Sequence, residues 1–131
     1  MAFQCVIVTP EQQVFDEPVV QAILPAHDGL VGILTGRAPL LVQIGLGPLR
    51  VDIAGGRSRV FFVDGGVAQM TGERLTVLTN EATPPEEIDP EAAQAEYAAA
   101  AAKPITDERS YDDRDRQMRR AKAKQEMAAA K

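Results

Sequence analysis

The sequence has few of the residues on which catalytic and metal sites are usually built. It contains one cysteine, one histidine and no tryptophan among 131 residues. Cys5 has no second thiol for an internal disulfide, and its apolar, alternating surroundings predict a core position in a reducing compartment. His27 has no second imidazole or thiol near it in the sequence, so a metal site is not expected. We therefore predict a protein that is not an enzyme and has no catalytic residues and no bound metal.

Long apolar runs and a basic excess are also missing. No run approaches the ~20 apolar residues that span a bilayer, and the sequence does not open on a basic and then apolar leader. The formal net charge is -5, whereas nucleic-acid binding favours a clustered basic surface. We expect a soluble protein that binds no nucleic acid and reaches a membrane only through a partner.

A change of composition near residue 84 predicts two domains. Residues 1–84 contain five arginines, no lysine and eight acidic residues, whereas residues 85–131 contain all four lysines, five arginines and eleven acidic residues. Glycine is concentrated before this point and alanine after it. Thr83-Pro84-Pro85 stops a strand and stiffens the connection. We predict a first domain of residues 1–84 and a second of residues 85–131.

The first domain is predicted to consist of short strands and sharp turns. Residues 29–50 combine glycines and two prolines with short runs of Leu, Ile and Val, a pattern that excludes a helix and favours brief buried strands. Residues 12–15 and 19–24 are predicted as two separate strands. Residues 49–53 alternate apolar and polar side chains, and Gly55-Gly56 favours a hairpin turn. The pattern predicts an antiparallel β-sandwich of about ten strands.

The second domain is predicted to be helical. Asp89, Pro90 and Glu91 predict a helix start. Asp89 can cap the helix, Pro90 suits its first turn, and Glu91 lies at the positive end of the helix dipole. The alanine-rich residues 92–102 continue this helix, and Pro104 ends it. A second helix is predicted from Thr106 to about residue 130. Since the link between them is short, we predict an antiparallel two-helix hairpin.

The predicted hairpin has little apolar surface with which to pack. Its first helix offers mostly alanine methyl groups, and helical stability in proteins comes largely from burying an apolar face. We interpret the hairpin as a mobile appendage. The alternative is a hairpin packed permanently against the sandwich.

A series of motifs along the whole chain resembles the epsilon subunit of the F-type ATP synthase. In order, these are Val8-Thr9-Pro10-Glu11, Val14-Phe15, residues 32–41, Gly47-Pro48-Leu49-Arg50, Gly65-Gly66, residues 75–78 and Glu87-Ile88-Asp89. The resemblance implies an accessory rotor subunit of the central stalk, at the cytoplasmic face of the bacterial plasma membrane. Such a subunit couples rotation of the proteolipid c-ring to the gamma subunit and the alpha/beta catalytic head for proton-driven ATP synthesis.

The resemblance also implies two contact regions. The interface with the ring and gamma would use residues of two loops, namely His27, Asp28, Gly29, Leu30, Arg37, Ala38 and Pro39. The hairpin, when extended, would inhibit ATP hydrolysis. Residues 109–131 carry eight bases and four acids, and we expect the stripe of Arg116, Arg120 and Lys124, spaced four apart, to contact the catalytic head. Alternatively, this stripe only neutralises the acidic first helix.

Some members of the family bind ATP at the hairpin, near the positions of Ile88 and Asp89. In those members, two residues and then Arg-Ala follow the Ile-Asp pair, whereas here Ala92-Ala93 stand in that place and Pro90 has no N–H to donate. We therefore expect no ATP binding and no cofactor. Two other hypotheses remain: a nucleotide sensor, whose melting temperature would shift with ATP, and a free-standing ligand-binding β-sandwich with a helical tail, which would need a concave aromatic site.

Overall fold

The computed structural model describes residues 2–26, 29–34 and 38–129. The chain divides into two compact units, Met1–Pro84 and Pro85–Lys131. In the described part of the first unit there are nine strands: β1 (Phe3–Val8), β2 (Gln13–Ala26), β3 (Gly29–Leu34), β4 (Leu40–Gln43), β5 (Leu46–Ile53), β6 (Arg57–Asp64), β7 (Val67–Thr71), β8 (Arg74–Leu78) and β9 (Ala82–Thr83). The second unit contains a 3-10 turn, Pro85–Glu87, and two helices, α1 (Pro90–Ala101) and α2 (Glu108–Ala129).

The strands are hydrogen-bonded in the order β4-β7-β8-β1-β2-β5-β6-β9, and β3 pairs with β2. The neighbouring strands are antiparallel except for β1 and β8, which run parallel, with Gln4 opposite Arg74. Side chains alternate between buried and exposed along most strands. The buried face forms one apolar core, in which the rings of Phe15 and Phe61 meet edge to face at 5.8 Å. The predicted β-sandwich is confirmed.

Strand β2 differs from the prediction, because its 14 residues form one strand where two were expected. Its first half pairs with β1, and its second half pairs with β3 and β5. Pro18 and Pro25 lie inside it, and each still uses its carbonyl as an acceptor, from Ala54 N at 3.1 Å and from Gly45 N at 2.7 Å respectively. Proline removes a donor but not an acceptor, so these long-range partners keep the strand continuous.

The helical hairpin confirms the predicted helix start. The Asp89 carboxylate caps α1 by accepting a hydrogen bond from Glu91 N at 3.0 Å, and Pro90 occupies the first helical position. At the start of α2, Ser110 N donates to Asp107 Oδ1 at 2.7 Å, while Thr106 N donates to Ser110 Oγ at 2.8 Å. These caps satisfy amides that a helix leaves without internal partners.

Candidate functional site

The predicted ring and gamma interface is described only in part. His27, Asp28 and Arg37 lie outside the described residues. Among the other predicted residues, Gly29 and Leu30 begin β3, whereas Ala38 and Pro39 precede β4. All four of these residues are exposed, which leaves them available for contact with another protein.

An apolar face lies on the outer side of β4, β7 and β8, formed by Leu41, Val67 and Leu78. Val67 stands directly opposite Leu78, whereas Leu41 lies opposite Gln69 on the other side of β7 and is therefore a diagonal neighbour of Val67. Leu41 is 70% exposed, Leu78 50% and Val67 39%. Apolar side chains grouped on a surface in this way are typical of a protein contact.

A groove of about 450 Å³ adjoins the apolar face. It is lined by Val8, Thr9, Pro10, Gly66, Val67, Leu78, Thr79 and Asn80. The polar side chains here are engaged within the protein, since Thr79 Oγ1 donates to Gly65 O at 2.7 Å and Asn80 Nδ2 to Asp64 O at 3.2 Å. Apolar residues lie around these satisfied groups, so the groove suits an apolar side chain of a partner better than a polar ligand.

Gly66 allows its backbone to approach the backbone of Leu78 closely at this groove. Its φ is +112°, and a Cβ added there would lie 2.0 Å from Leu78 O. Only glycine avoids both the strain and the overlap. The shape of the groove therefore depends on a residue with no side chain.

Sequence reasoning missed the apolar face. The burial pattern of β7 places Val67 outside and its neighbours Ala68 and Met70 inside, and the same alternation is visible in the sequence. That alternation could have been used to predict that the Val67 side chain is exposed. Its position opposite Leu78 depends on strand register, which no local pattern of β7 specifies.

The hairpin is built around small side chains. Helices α1 and α2 contact each other, and most of their buried residues are alanines: Ala93, Ala100, Ala121 and Ala128, together with Met127. A methyl group buries little area, and apolar burial contributes only about 25 cal/mol per Å². The apolar contribution to hairpin stability is therefore small.

Three polar contacts join α2 to α1 or to Lys103, two residues beyond the end of α1, and we call them the polar clasp. Arg120 Nη1 lies 3.3 Å from Glu96 Oε2. Arg114 Nη2 donates to Ala101 O at 3.0 Å, at the end of α1 where carbonyls lack helical partners. Lys103 Nζ donates to Gln117 Oε1. Two of these contacts, Glu96–Arg120 and Lys103–Gln117, border a groove of about 320 Å³.

One member of the predicted basic stripe on α2, Arg120, forms an ion pair with Glu96 of α1. Arg116 is exposed, and Lys124 is half-buried. The ion pair is a contact of the kind expected if the stripe neutralises the acidic first helix. Contact of the stripe with a catalytic head remains a prediction.

The two residues considered for nucleotide binding, Ile88 and Asp89, have structural roles in the second unit. Ile88 is buried, and the Asp89 carboxylate caps α1. Among the described residues, no group of three or more His, Cys, Asp or Glu side chains is arranged to hold a metal ion. Neither α1 nor α2 has the length and apolar composition of a membrane-spanning helix.

The Cys5 thiol is buried in the sandwich core. Burial, and to a lesser extent the nearby charge of Asp16, raises its pKa from 9.0 to about 12. Because the thiolate is the reactive form of cysteine, Cys5 is suited to packing and not to chemistry.

Comparison with known proteins identifies the family. Residues 2–85 match the family model described as "ATP synthase, Delta/Epsilon chain, beta-sandwich domain". The ATP synthase epsilon chain of Rhodopirellula baltica is 36% identical over 122 residues, which cover 93% of this chain and 94% of that one. The epsilon chain of a Synechococcus species (strain JA-2-3B'a(2-13)) is 46% identical over 89 residues, covering 68% of this chain and 64% of that one.

A solved structure shows the same fold over nearly the whole chain. It is a chain in the cryo-EM structure of the Euglena gracilis mitochondrial ATP synthase, "OSCP/F1/c-ring in rotational state 1". That chain superposes with a TM-score of 0.83 at 25% identity, covering 97% of this chain and 80% of its own length. The family model matches the sandwich and a curated relative aligns over both units. The chain therefore belongs to the epsilon-chain family of the F-type ATP synthase.

Proposed function

We propose that the chain is a non-catalytic rotor subunit that transmits c-ring rotation to the gamma subunit, and whose hairpin inhibits ATP hydrolysis at the alpha/beta head. The proposal places it at the cytoplasmic face of a bacterial plasma membrane, held there by its partners. Its support is the family membership and the apolar surface of the sandwich. The related Euglena gracilis chain was solved as part of an assembly that contains F1 and the c-ring.

The observation that carries the coupling role is the apolar face with its adjoining groove. A coupling subunit must hold its partners through many rotations, and exposed apolar side chains provide such adhesion. Leu41, Val67 and Leu78 offer one surface, and Leu30 and Leu34 on β3 are also exposed. We assign Leu41, Val67 and Leu78 to binding of gamma, and the start of β3 to the ring.

A capture experiment with purified gamma tests the coupling role. Val67→Gln is expected to weaken binding about tenfold, as for loss of a buried apolar contact worth about 1.4 kcal/mol. Val20→Gln is the matched control, because Val20 is also 39% exposed but does not line the groove. Equal binding by the two variants would contradict the assignment of the apolar face.

The inhibitory role is supported by the charge of α2. Residues 109–131 carry a net charge of +4, from eight bases and four acids, so this segment is attracted to acidic surfaces and the attraction weakens with salt. We infer that the stripe of Arg116, Arg120 and Lys124 meets an acidic surface of the catalytic head.

Charge reversal in the assembled enzyme tests this role. Replacing Arg116, Arg120 and Lys124 with Glu is expected to relieve inhibition of ATP hydrolysis. For the control, Arg116 and Lys124 reversed as a pair are compared with Arg119 and Lys122 reversed as a pair, because the latter two are exposed on the same helix outside the stripe and change the net charge equally. If both double variants relieve inhibition equally, net charge and not the stripe is responsible.

A further inference from the structure

We propose that the edge of β3 that faces away from β2, here called the β3 edge, pairs with the same edge of a second copy of this chain. The result is a weak antiparallel dimer centred on Gly32. The inference concerns the chain outside any complex and does not depend on the proposed function. The two uses of β3 exclude each other, because Leu30 cannot contact the ring while a second copy covers it.

The β3 edge is the longest unpaired strand edge in the described part of the sandwich. Among the described strands, β3 pairs with β2 alone, and the strands at the two ends of the hydrogen-bonded order are β4 and β9. Strand β3 has six residues, whereas β4 has four and β9 two. The unpaired side of a strand presents backbone N–H and C=O groups to which another strand can bond.

The features that usually protect a strand edge are missing from β3. Residues 29–34 contain no charged side chain and no proline. Their pairing with β2 runs without a bulge from Gln21 opposite Leu34 to Ala26 opposite Gly29. Charges, prolines and bulges are the means by which proteins keep edge strands from pairing with one another. The β3 edge is therefore open to an uncharged strand.

The side chains of β3 alternate between the core and the surface. Ile33 is buried in the core and Val31 packs against it, whereas Leu30 is 72% and Leu34 56% exposed. Gly32 is exposed between the two leucines, and a Cβ built there would meet nothing within 4 Å. The outer face of the strand thus consists of two leucines with open space between them.

This arrangement is self-complementary. In either direction from Gly32, the chain has first a β-branched residue and then a leucine. If two copies pair antiparallel with Gly32 opposite Gly32, Leu30 of each copy lies opposite Leu34 of the other, so that apolar side chains meet across the strands. The contacts are reciprocal, as a two-fold interface requires, and no like charges are brought together. A second copy therefore supplies the uncharged strand that this edge fits.

The dimer is expected to be weak. A six-residue strand brings only a short row of side chains into contact, so the interface is smaller than the roughly 1,200 Å² of buried surface at which stable complexes begin. We expect a dissociation constant on the order of 0.1 mM. Dilution separates the copies and leaves the β3 edge available to a partner that binds more tightly.

Disulfide formation in the full chain tests the register. Gly32→Cys places two cysteines opposite each other at the dimer axis, with Cα atoms about 4.5–5.5 Å apart, within the range that a disulfide spans. Leu30→Cys and Leu34→Cys are the matched controls, because each cysteine would lie about 13 Å along the strands from its own counterpart. A mixture of these two variants, however, brings Leu30→Cys of one copy opposite Leu34→Cys of the other. The native Cys5 is buried.

Gly32→Cys and the mixture are expected to form intermolecular disulfides about tenfold faster than either control alone. Since the mixture contains the same thiols as the two controls, a difference between them reports on the register and not on reactivity. Equal rates in the mixture and in the separate controls would overturn the antiparallel pairing.

Sedimentation of the full chain, below and above the expected dissociation constant, tests the edge itself. Leu34→Lys is expected to weaken association about tenfold, because lysine on an edge strand opposes pairing. Leu78→Lys is the matched control, since Leu78 is similarly exposed at 50% but lies on β8, which is paired on both sides by β1 and β7. A native chain that stays monomeric at all these concentrations, or equal losses in the two variants, would overturn the proposal.

Discussion

The two units of this chain are stabilised by different means. In the sandwich, strands distant in the sequence enclose aromatic and branched side chains, among them Phe3, Phe61 and Ile7, each nearly inaccessible to water. In the hairpin, local caps and helix propensity form the helices, while alanine methyl groups and a few polar contacts join them. This difference shows that a unit with large buried side chains and a unit joined mainly by alanine methyl groups can be built in a single short chain.

The largest contrast is expected in thiol reactivity. With its pKa raised from 9.0 to about 12, Cys5 at pH 8 has about a thousandfold less thiolate than an ordinary cysteine. A cysteine introduced by Ala95→Cys on α1 is exposed and is expected to react at the ordinary rate. Labelling followed by mass spectrometry measures both sites in one sample. Comparable rates would show that the sandwich opens often enough to expose Cys5 fully.

Truncation of the core tests the sandwich alone. Phe61→Ala removes a fully buried ring that meets Phe15, and it is expected to lower the free energy of unfolding by about 3–5 kcal/mol. Urea unfolding followed by circular dichroism in the β-sheet region measures the loss. Tyr97 and Tyr111, the only tyrosines in the sequence, lie in the hairpin, so tyrosine fluorescence in the same titration reports on that unit.

Gly66→Ala tests the tight backbone at the groove. Its Cβ would meet Leu78 O, and its φ of +112° is strained for alanine, so we expect a loss of about 2–4 kcal/mol in urea unfolding. Gly72→Ala is the control, because Gly72 also has positive φ but has open space around it; it should lose only about 1 kcal/mol. Equal losses would show that steric overlap contributes nothing at Gly66.

The smallest effect is expected in the hairpin. Ala121→Gly removes a buried methyl group and a strong helix former from α2, at a cost of about 1–2 kcal/mol. Hydrogen exchange is the appropriate measurement, with faster exchange in α2 and unchanged exchange in β1 and β6. Faster exchange in the core strands as well would indicate that the two units open together.

Local signals account for what the sequence predicted well. The start of α1 follows from Asp89 and Pro90, and the turn between β5 and β6 follows from Gly55-Gly56, because each depends on residues next to one another in the chain. The continuity of β2 through Pro18 was not predictable in this way, since it depends on partners in β1 and β5. The apolar face likewise required the register of Val67 against Leu78, and the clasp required the alignment of two helices.

The parallel pairing of β1 with β8 also affects the synthesis of the protein. Gln4 lies opposite Arg74, so β1 leaves the ribosome well before β8, the strand that covers one of its edges. Contacts between such distant residues slow folding. Until residue 78 has emerged, Cys5, Val6 and Ile7 have no β8 to pair with, and this edge of β1 stays open to other strands.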